Sequence, residues 1–394
     1  MFYCHRSDLV TKATHYSQRG NTFKISTGKY SKIIDPICHL DSAGTEDCFD
    51  EYRIGDGTMR TLTKLSLGLI AAFAYSTALV QPVLAHDLDL VVQAKGGKPG
   101  KPPKDSNDSE ESGDGGGSTR TPIYYDWMHS DVLGAWNLGA GNEYLGQGVT
   151  ITVVDDFSSR SKFFGNLGDG LSRSRHGEWT LKQAGMIAPS ANMIADDFNS
   201  GDWVSLVPEV FNVINLSYGM IGTYGYGEIN WGPQESSIIT HAAGGAFISK
   251  AAGNDEVGVG EPFGGLLDYL ARDLIGTDST IFVGALDGNG TIVDGMGTGT
   301  LAWYSNTAGF AVNQYLVVGV DGDLTGLYGT SFAAPIISGY AAVLSNKFLD
   351  PLPKIVASRL LTTARTDTIL GYNIAIHGQG EASISLALAP DYIN

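Results

Sequence analysis

The sequence predicts an α/β fold with a mainly parallel central sheet flanked by helices, and three observations carry that reading. Short β-branched runs recur, several of them ending at polar or charged residues. Segments of helical character alternate with them, as the crossovers of a parallel sheet require. Of the 394 residues, 43% are hydrophobic, enough to cover such a sheet on both faces.

The first run, VTITVV at 149–154, stops at Asp155 and Asp156. A helix is expected around residues 180–185, followed by NVINLS at 212–217, which runs into Gly219. The next helix is placed around 236–244, ahead of AFISKAA at 246–252, which ends at Gly253 and Asn254. IFVGA at 281–285 and YLVV at 315–318 complete the strands, and the last helix is expected over 333–349. In open sheets of this class the site lies outside the carboxyl ends of the strands, where Asp155, Ser217 and Asn254 fall.

Ahead of these elements the composition shifts. Cys4, Cys38 and Cys48 all precede residue 49, so neither disulfides nor thiolate chemistry serve the rest. A short basic start at Met59, an apolar run from Leu65 to Val80 and small residues before His86 follow the three-part plan of a secretory signal, giving a segment at 59–85. The apolar run is short for a bilayer span, which needs roughly 20 residues. An export signal is read at an amino terminus, so residues 1–58 are read as a doubtful upstream extension with Met59 as the start. Residues 86–121 are rich in Gly, Pro, Ser and acidic side chains without apolar periodicity and read as a flexible linker. Residues 122–394 form one large domain.

Lys and Arg number 25 against 42 Asp and Glu, a formal charge of −17; within 122–394 the counts are 11 and 27, or −16. A nucleic-acid partner needs a cationic face, and this balance argues against one, as it does against anionic membrane surfaces. Fifty-two glycines point to many tight turns.

Four local patterns could carry chemistry. Asp155 ends a buried strand, where an aspartate caps a turn or helix as readily as it catalyses. His176, in RHG, precedes a segment that could begin a helix; His241, among alanines, reads as structural. Asn254, in AAGND, either makes a turn or aims its amide at an oxyanion. Ser331, in GTSFAAP, either caps the helix that follows or presents its hydroxyl where helix-terminal N–H groups favour negative charge. As a set they have a common logic. A hydroxyl needs a base, imidazole is the usual base near neutral pH, and a buried carboxylate orients the imidazole. No G-x-S-x-G surrounds Ser331, which removes the esterase elbow.

The chain order Asp155, His176, Ser331 is that of the subtilases, the subtilisin-like serine peptidases, and the sequence resembles them over residues 124–394. GQGVTITVVDD, RHGEW, GMIAPSANM, VINLSYG, SKAAGND, GTSFAAPIISGYAAVL and GQGEASISLAL carry the resemblance. It implies a subtilisin-like three-layer fold, with Asp155 as orienter, His176 as base, Ser331 as nucleophile and Asn254 as oxyanion donor. Ser217, Tyr218, Gly219 and Gly253 would bind an extended polypeptide by adding it as a strand. It further implies a secreted or periplasmic endopeptidase working through an acyl-enzyme as a monomer. No cofactor is required and no stable membrane insertion follows signal removal. Structural calcium is possible in the family, though no contiguous loop names its ligands. The sequence departs from the pattern at Phe157, Glu178 and Trp179, in a spacing of 21 between Asp155 and His176, and in having only about 36 linker residues where many relatives carry a folding pro-domain. Asp156 stands as an outside candidate for the acid. A subtilase-like binding protein with impaired catalysis is the alternative, and an esterase on the same residues a third reading.

Overall fold

A computed structural model describes residues 122–349 and 351–393 and, before them, the backbone of strands between Tyr16 and Thr58. The expected signal segment, the expected linker and most of the reading of residues 1–58 lie outside the described residues. The chain divides into two compact units, Met1–Leu79 and Val80–Asn394. In the first, Tyr16–Arg19, Thr22–Thr27, Tyr30–Leu40 and Glu46–Glu51 pair antiparallel in that order, and Arg53–Ile54 pairs with Gly57–Thr58.

The second unit is built on six strands: β1 (Val149–Asp155), β2 (Asn192–Asp197), β3 (Phe211–Leu216), β4 (Phe247–Ala251), β5 (Thr280–Leu286) and β6 (Tyr315–Gly319). They lie in the order β2-β1-β3-β4-β5-β6, and every pairing is parallel. All residues of β1, β3, β4, β5 and β6 are buried, which is why these strands read as continuous apolar runs. Edge strand β2 is half exposed and carries Asn192, Asp196 and Asp197, so no apolar run announced it.

Four helices cover the sheet: α1 (His176–Ile187), α2 (Pro233–Ala242), α3 (Ala334–Phe348) and α4 (Pro353–Thr362). Side chains alternate across each strand, so the sheet feeds two separate cores. Ile151, Val153, Val213 and Val283 pack against α1, α3 and α4, whereas Val154, Ile214, Leu216 and Phe282 pack against α2 and a short helix at Tyr269–Leu274. Three layers result, as the sequence predicted.

One of the two readings of Ser331 falls away, and the structural reading of His241 acquires its contacts. Ser331 does not cap α3: it lies in a 3₁₀ turn, Thr330–Phe332, and the cap position belongs to Ala333. His241 sits in the last turn of α2, where Nε2 pairs with the Val204 carbonyl at 2.8 Å and ties the helix to a loop.

The crossing of α1 over α3 leaves no room at Gly339, where a Cβ would fall 2.4 Å from Ile187 Cγ2. Gly339→Ala should therefore cost about 1–3 kcal/mol in urea unfolding. Adding Ile187→Val should not recover that loss, since valine keeps the Cβ and Cγ2 atoms that collide.

Candidate active site

Parallel pairing sets the site by bringing the ends of β1, β3 and β4 side by side. Val153 is in register with Asn215, and Leu216 with Lys250. Asp155, the segment from Ser217 and the segment from Ala252 consequently emerge on one edge.

Asp155 is fully buried, and burial of a carboxylate demands donors. It has three: the Asp156 N–H at 2.6 Å, Thr180 Oγ1 at 3.0 Å and His176 Nδ1 at 2.6 Å. His176 is the first residue of α1 and Thr180 lies one turn later, so both reach the same carboxylate. The imidazole is 19% exposed. Burial alone would lower its pKa, but the charge and hydrogen bond of Asp155, with a further contribution from Asp156, raise it above 6.5. Asp156 turns elsewhere: its Oδ1 accepts the Ser159 N–H at 2.8 Å.

Ser331 faces β3. Its hydroxyl donates to the Ser217 carbonyl at 2.9 Å, and Ser217 Oγ donates to the Ser331 carbonyl at 2.8 Å. Asn215 Nδ2 holds Ser217 Oγ at 3.0 Å, and Ser338 Oγ of α3 donates to Asn215 Oδ1 at 3.1 Å. Among the described residues no hydrogen bond joins His176 to Ser331, although the imidazole lies 5.6 Å from the ring of Phe332, the next residue.

Asn254 is oriented by its neighbours. Its Oδ1 accepts the Thr330 N–H at 2.9 Å and Thr330 Oγ1 at 3.1 Å, which assigns the other amide position to Nδ2. Gly329, with φ +124°, packs beside that Nδ2: a Cβ would approach it to 3.3 Å. Gly253, with φ +108°, leaves room for Asn306, whose Nδ2 would be 2.3 Å from a Cβ there. Asn306 Oδ1 accepts the Asp255 N–H at 2.8 Å and Nδ2 donates to the Ala252 carbonyl at 3.0 Å, so one buried side chain shapes the whole Asn254 loop.

The departures from the family pattern have structural explanations. Glu178 Oε2 accepts the Arg175 N–H at 2.8 Å, closing the start of α1. Trp179 is wholly buried and donates Nε1 to the Phe163 carbonyl at 3.2 Å. The Phe157 ring lies against Gly177, where a Cβ would meet it at 2.9 Å. Thr180, Asn306 and Thr330 were missed by sequence reasoning as site residues. Thr180 alone left a signal, its i+4 spacing from His176. Among the described residues no three His, Cys, Asp or Glu side chains converge as metal ligands.

The Subtilase family profile matches residues 178–381. A chain with this site and this match belongs to the subtilase family, and so to the serine peptidases that act on polypeptides. The matched span begins after Asp155 and His176, whose placement rests on the geometry above. Among solved structures, the chain is similar to prenylagaramide maturation protease PagA, with 19% identity over 66% of this chain and 98% of that one and a TM-score of 0.42. MycP1 from Mycobacterium smegmatis gives 19% identity, 65% and 82% coverage and a TM-score of 0.43. A protease from Pseudoalteromonas arctica gives 17%, 66%, 93% and 0.40. A search of curated proteins gave no match.

An NMR titration of the His176 ring should give a midpoint above 6.5. Asp155→Asn removes the charge that offsets burial, so the midpoint should fall; an unchanged midpoint would mean that Asp155 does not control the imidazole.

Proposed function

We propose that the chain is a secreted serine endopeptidase that cleaves peptide bonds through an acyl-enzyme on Ser331. The observation that carries this reading is the 2.6 Å bond between buried Asp155 and His176 Nδ1, which leaves Nε2 as the proton acceptor. An extended polypeptide adds as a strand along Ser217, Tyr218 and Gly219. Its arrival competes for the Ser217 carbonyl, and the Ser331 hydroxyl then turns to His176. Nε2 takes the proton as Oγ attacks the scissile carbonyl, and Asp155 stabilises the imidazolium without being protonated itself. The oxyanion is received by Asn254 Nδ2 and the Ser331 N–H. His176 returns its proton to the leaving amine, and water repeats the sequence to release the acyl group. The reaction as proposed uses no resident cofactor, and the protein acts as a monomer.

A binding protein on the same scaffold is the competing reading, favoured by one observation: Ser331 Oγ rests on Ser217 rather than on His176.

Cleavage of an unfolded protein substrate decides between them. The wild type should cleave, and Ser331→Ala should be inactive while keeping the wild-type circular dichroism; equal activity of the two, or none in either, contradicts the peptidase reading. Because neutral His176 is the base and its pKa is raised, the acid limb of kcat/KM should fall above pH 6.5. Asn254→Ala should lower kcat by about 10²–10³, a figure taken from subtilisin itself.

A further inference from the structure

Charge is unevenly spread over residues 122–394. The stretch 157–182 holds five of their 11 Lys and Arg but two of their 27 Asp and Glu, so a cationic segment runs up to and past His176 in a domain that is otherwise strongly acidic. Lys162 and Arg173 stand on a hairpin whose strands, Phe163–Gly165 and Ser172–Ser174, pair antiparallel with Phe164 opposite Arg173, and Arg160 lies just ahead of it. Arg175 and Lys182 are engaged by Glu178 and Asp169, and Lys162 reaches Glu178 at 3.9 Å. Among the described residues Arg160 and Arg173 form no ion pair. Arg160 is exposed. Arg173 donates Nε to the Lys162 carbonyl at 3.1 Å and lies 5.7 Å over the exposed Phe164 ring, which leaves its outer N–H groups to solvent.

The hairpin is fastened to the candidate site. Asn166 closes its turn, with Oδ1 accepting the Gly168 and Gly170 N–H groups at 2.9 and 3.0 Å. Trp127 Nε1 donates to the Leu167 carbonyl at 2.8 Å, and the Asn166 N–H donates to the Thr325 carbonyl at 2.8 Å. A Cβ at Gly165 would fall 2.5 Å from Leu327 Cδ2, so the first strand seats on the chain that leads into the Ser331 turn. The Phe163 ring lies 6.2 Å from the His176 imidazole. A polypeptide whose acyl side runs along Ser217–Gly219 presents its leaving amine to His176. The chain beyond the scissile bond therefore departs past that imidazole, towards the hairpin.

We propose that this hairpin is a docking surface for an acidic stretch of the polypeptide substrate, on the carboxyl-terminal side of the scissile bond and beyond the cleft, with Arg160 and Arg173 as its principal contacts. The proposal deepens the peptidase reading and rests on it for the direction of the chain. Guanidinium groups suit carboxylates in particular, since each offers several N–H donors in a fork. The overall charge sharpens the inference. At −16, residues 122–394 repel an acidic polypeptide in general, so attraction has to come from a local patch acting within about 10 Å at 0.1 M salt. Lys354, exposed on α4, is a cation of equal charge on a different element.

Fluorescence anisotropy on Ser331→Ala tests the surface, with two peptides that share one neutral sequence and end in a hexaglutamate or a hexaglutamine tail, a run of about 20 Å. The glutamate peptide should bind at least about threefold tighter, and the preference should vanish at high salt. Arg160→Gln and Arg173→Gln, added singly, should each weaken the glutamate peptide by about two- to fivefold, whereas Lys354→Gln should leave it unchanged. Arg160 makes no hydrogen bond among the described residues, so its replacement removes charge without disturbing the hairpin. Equal binding of the two peptides, or equal loss from all three charge removals, overturns the proposal. Cleavage by the wild type separates this failure from that of the peptidase reading, with the same tails placed behind a bond that it cuts in an unfolded protein. A glutamate preference should appear there in KM rather than kcat. Preferred binding without any cleavage upholds the surface and contradicts the peptidase reading alone. Cleavage of both peptides alike contradicts the docking alone.

Discussion

A charge buried at the end of β1 is the constraint around which the site is organised. Asp155 has no access to water, and three donors converge on its carboxylate. Each donor comes from a feature that is otherwise unremarkable: the chain's turn after β1, the first residue of α1 and a threonine one turn later. The close start of α1 is possible because Gly177 has no side chain to strike the Asp156 carbonyl, where a Cβ would fall at 2.8 Å. Losing any donor would leave a buried carboxylate undersatisfied, at about 1–3 kcal/mol or more. Fold and imidazole orientation are thus set by the same interactions.

The remaining polar groups serve a different end. Asn215, Ser217, Ser331 and Ser338 form a ladder that links β3 to α3 and fixes the turn carrying the candidate nucleophile. Thr330 and Asn306 do the same for the Asn254 loop, so the candidate oxyanion donor is positioned before any substrate arrives. In the free protein the Ser331 hydroxyl is engaged with the strand that would receive substrate. In the proposed mechanism, substrate binding and release of that hydroxyl are coupled by competition for one carbonyl oxygen.

Much of this was legible in the sequence, for physical reasons. Five of the six sheet strands are buried on both faces, and that burial writes itself as an apolar run. Strand β2 escaped the periodicity because an edge strand that is half in water can carry Asn192 and two aspartates. Asp155, His176, Asn254 and Ser331 were visible because each stands at the end of such a run or beside a glycine-marked turn. Asn306 was not, since its role depends on a contact 54 positions away with the Ala252 carbonyl, and no local pattern encodes it. Glu178 and Trp179 looked like damage to a motif; in the structure one closes the start of α1 and the other fills the core beneath it.

The central claim is that His176, poised by Asp155, activates Ser331. The most direct test is the rate at which a fluorophosphonate modifies Ser331 as pH is varied, with the adduct located by peptide mapping. The account predicts a rate that follows the titration of the His176 ring and collapses in His176→Ala. Modification of Ser331 at an undiminished, pH-independent rate without that imidazole would contradict it.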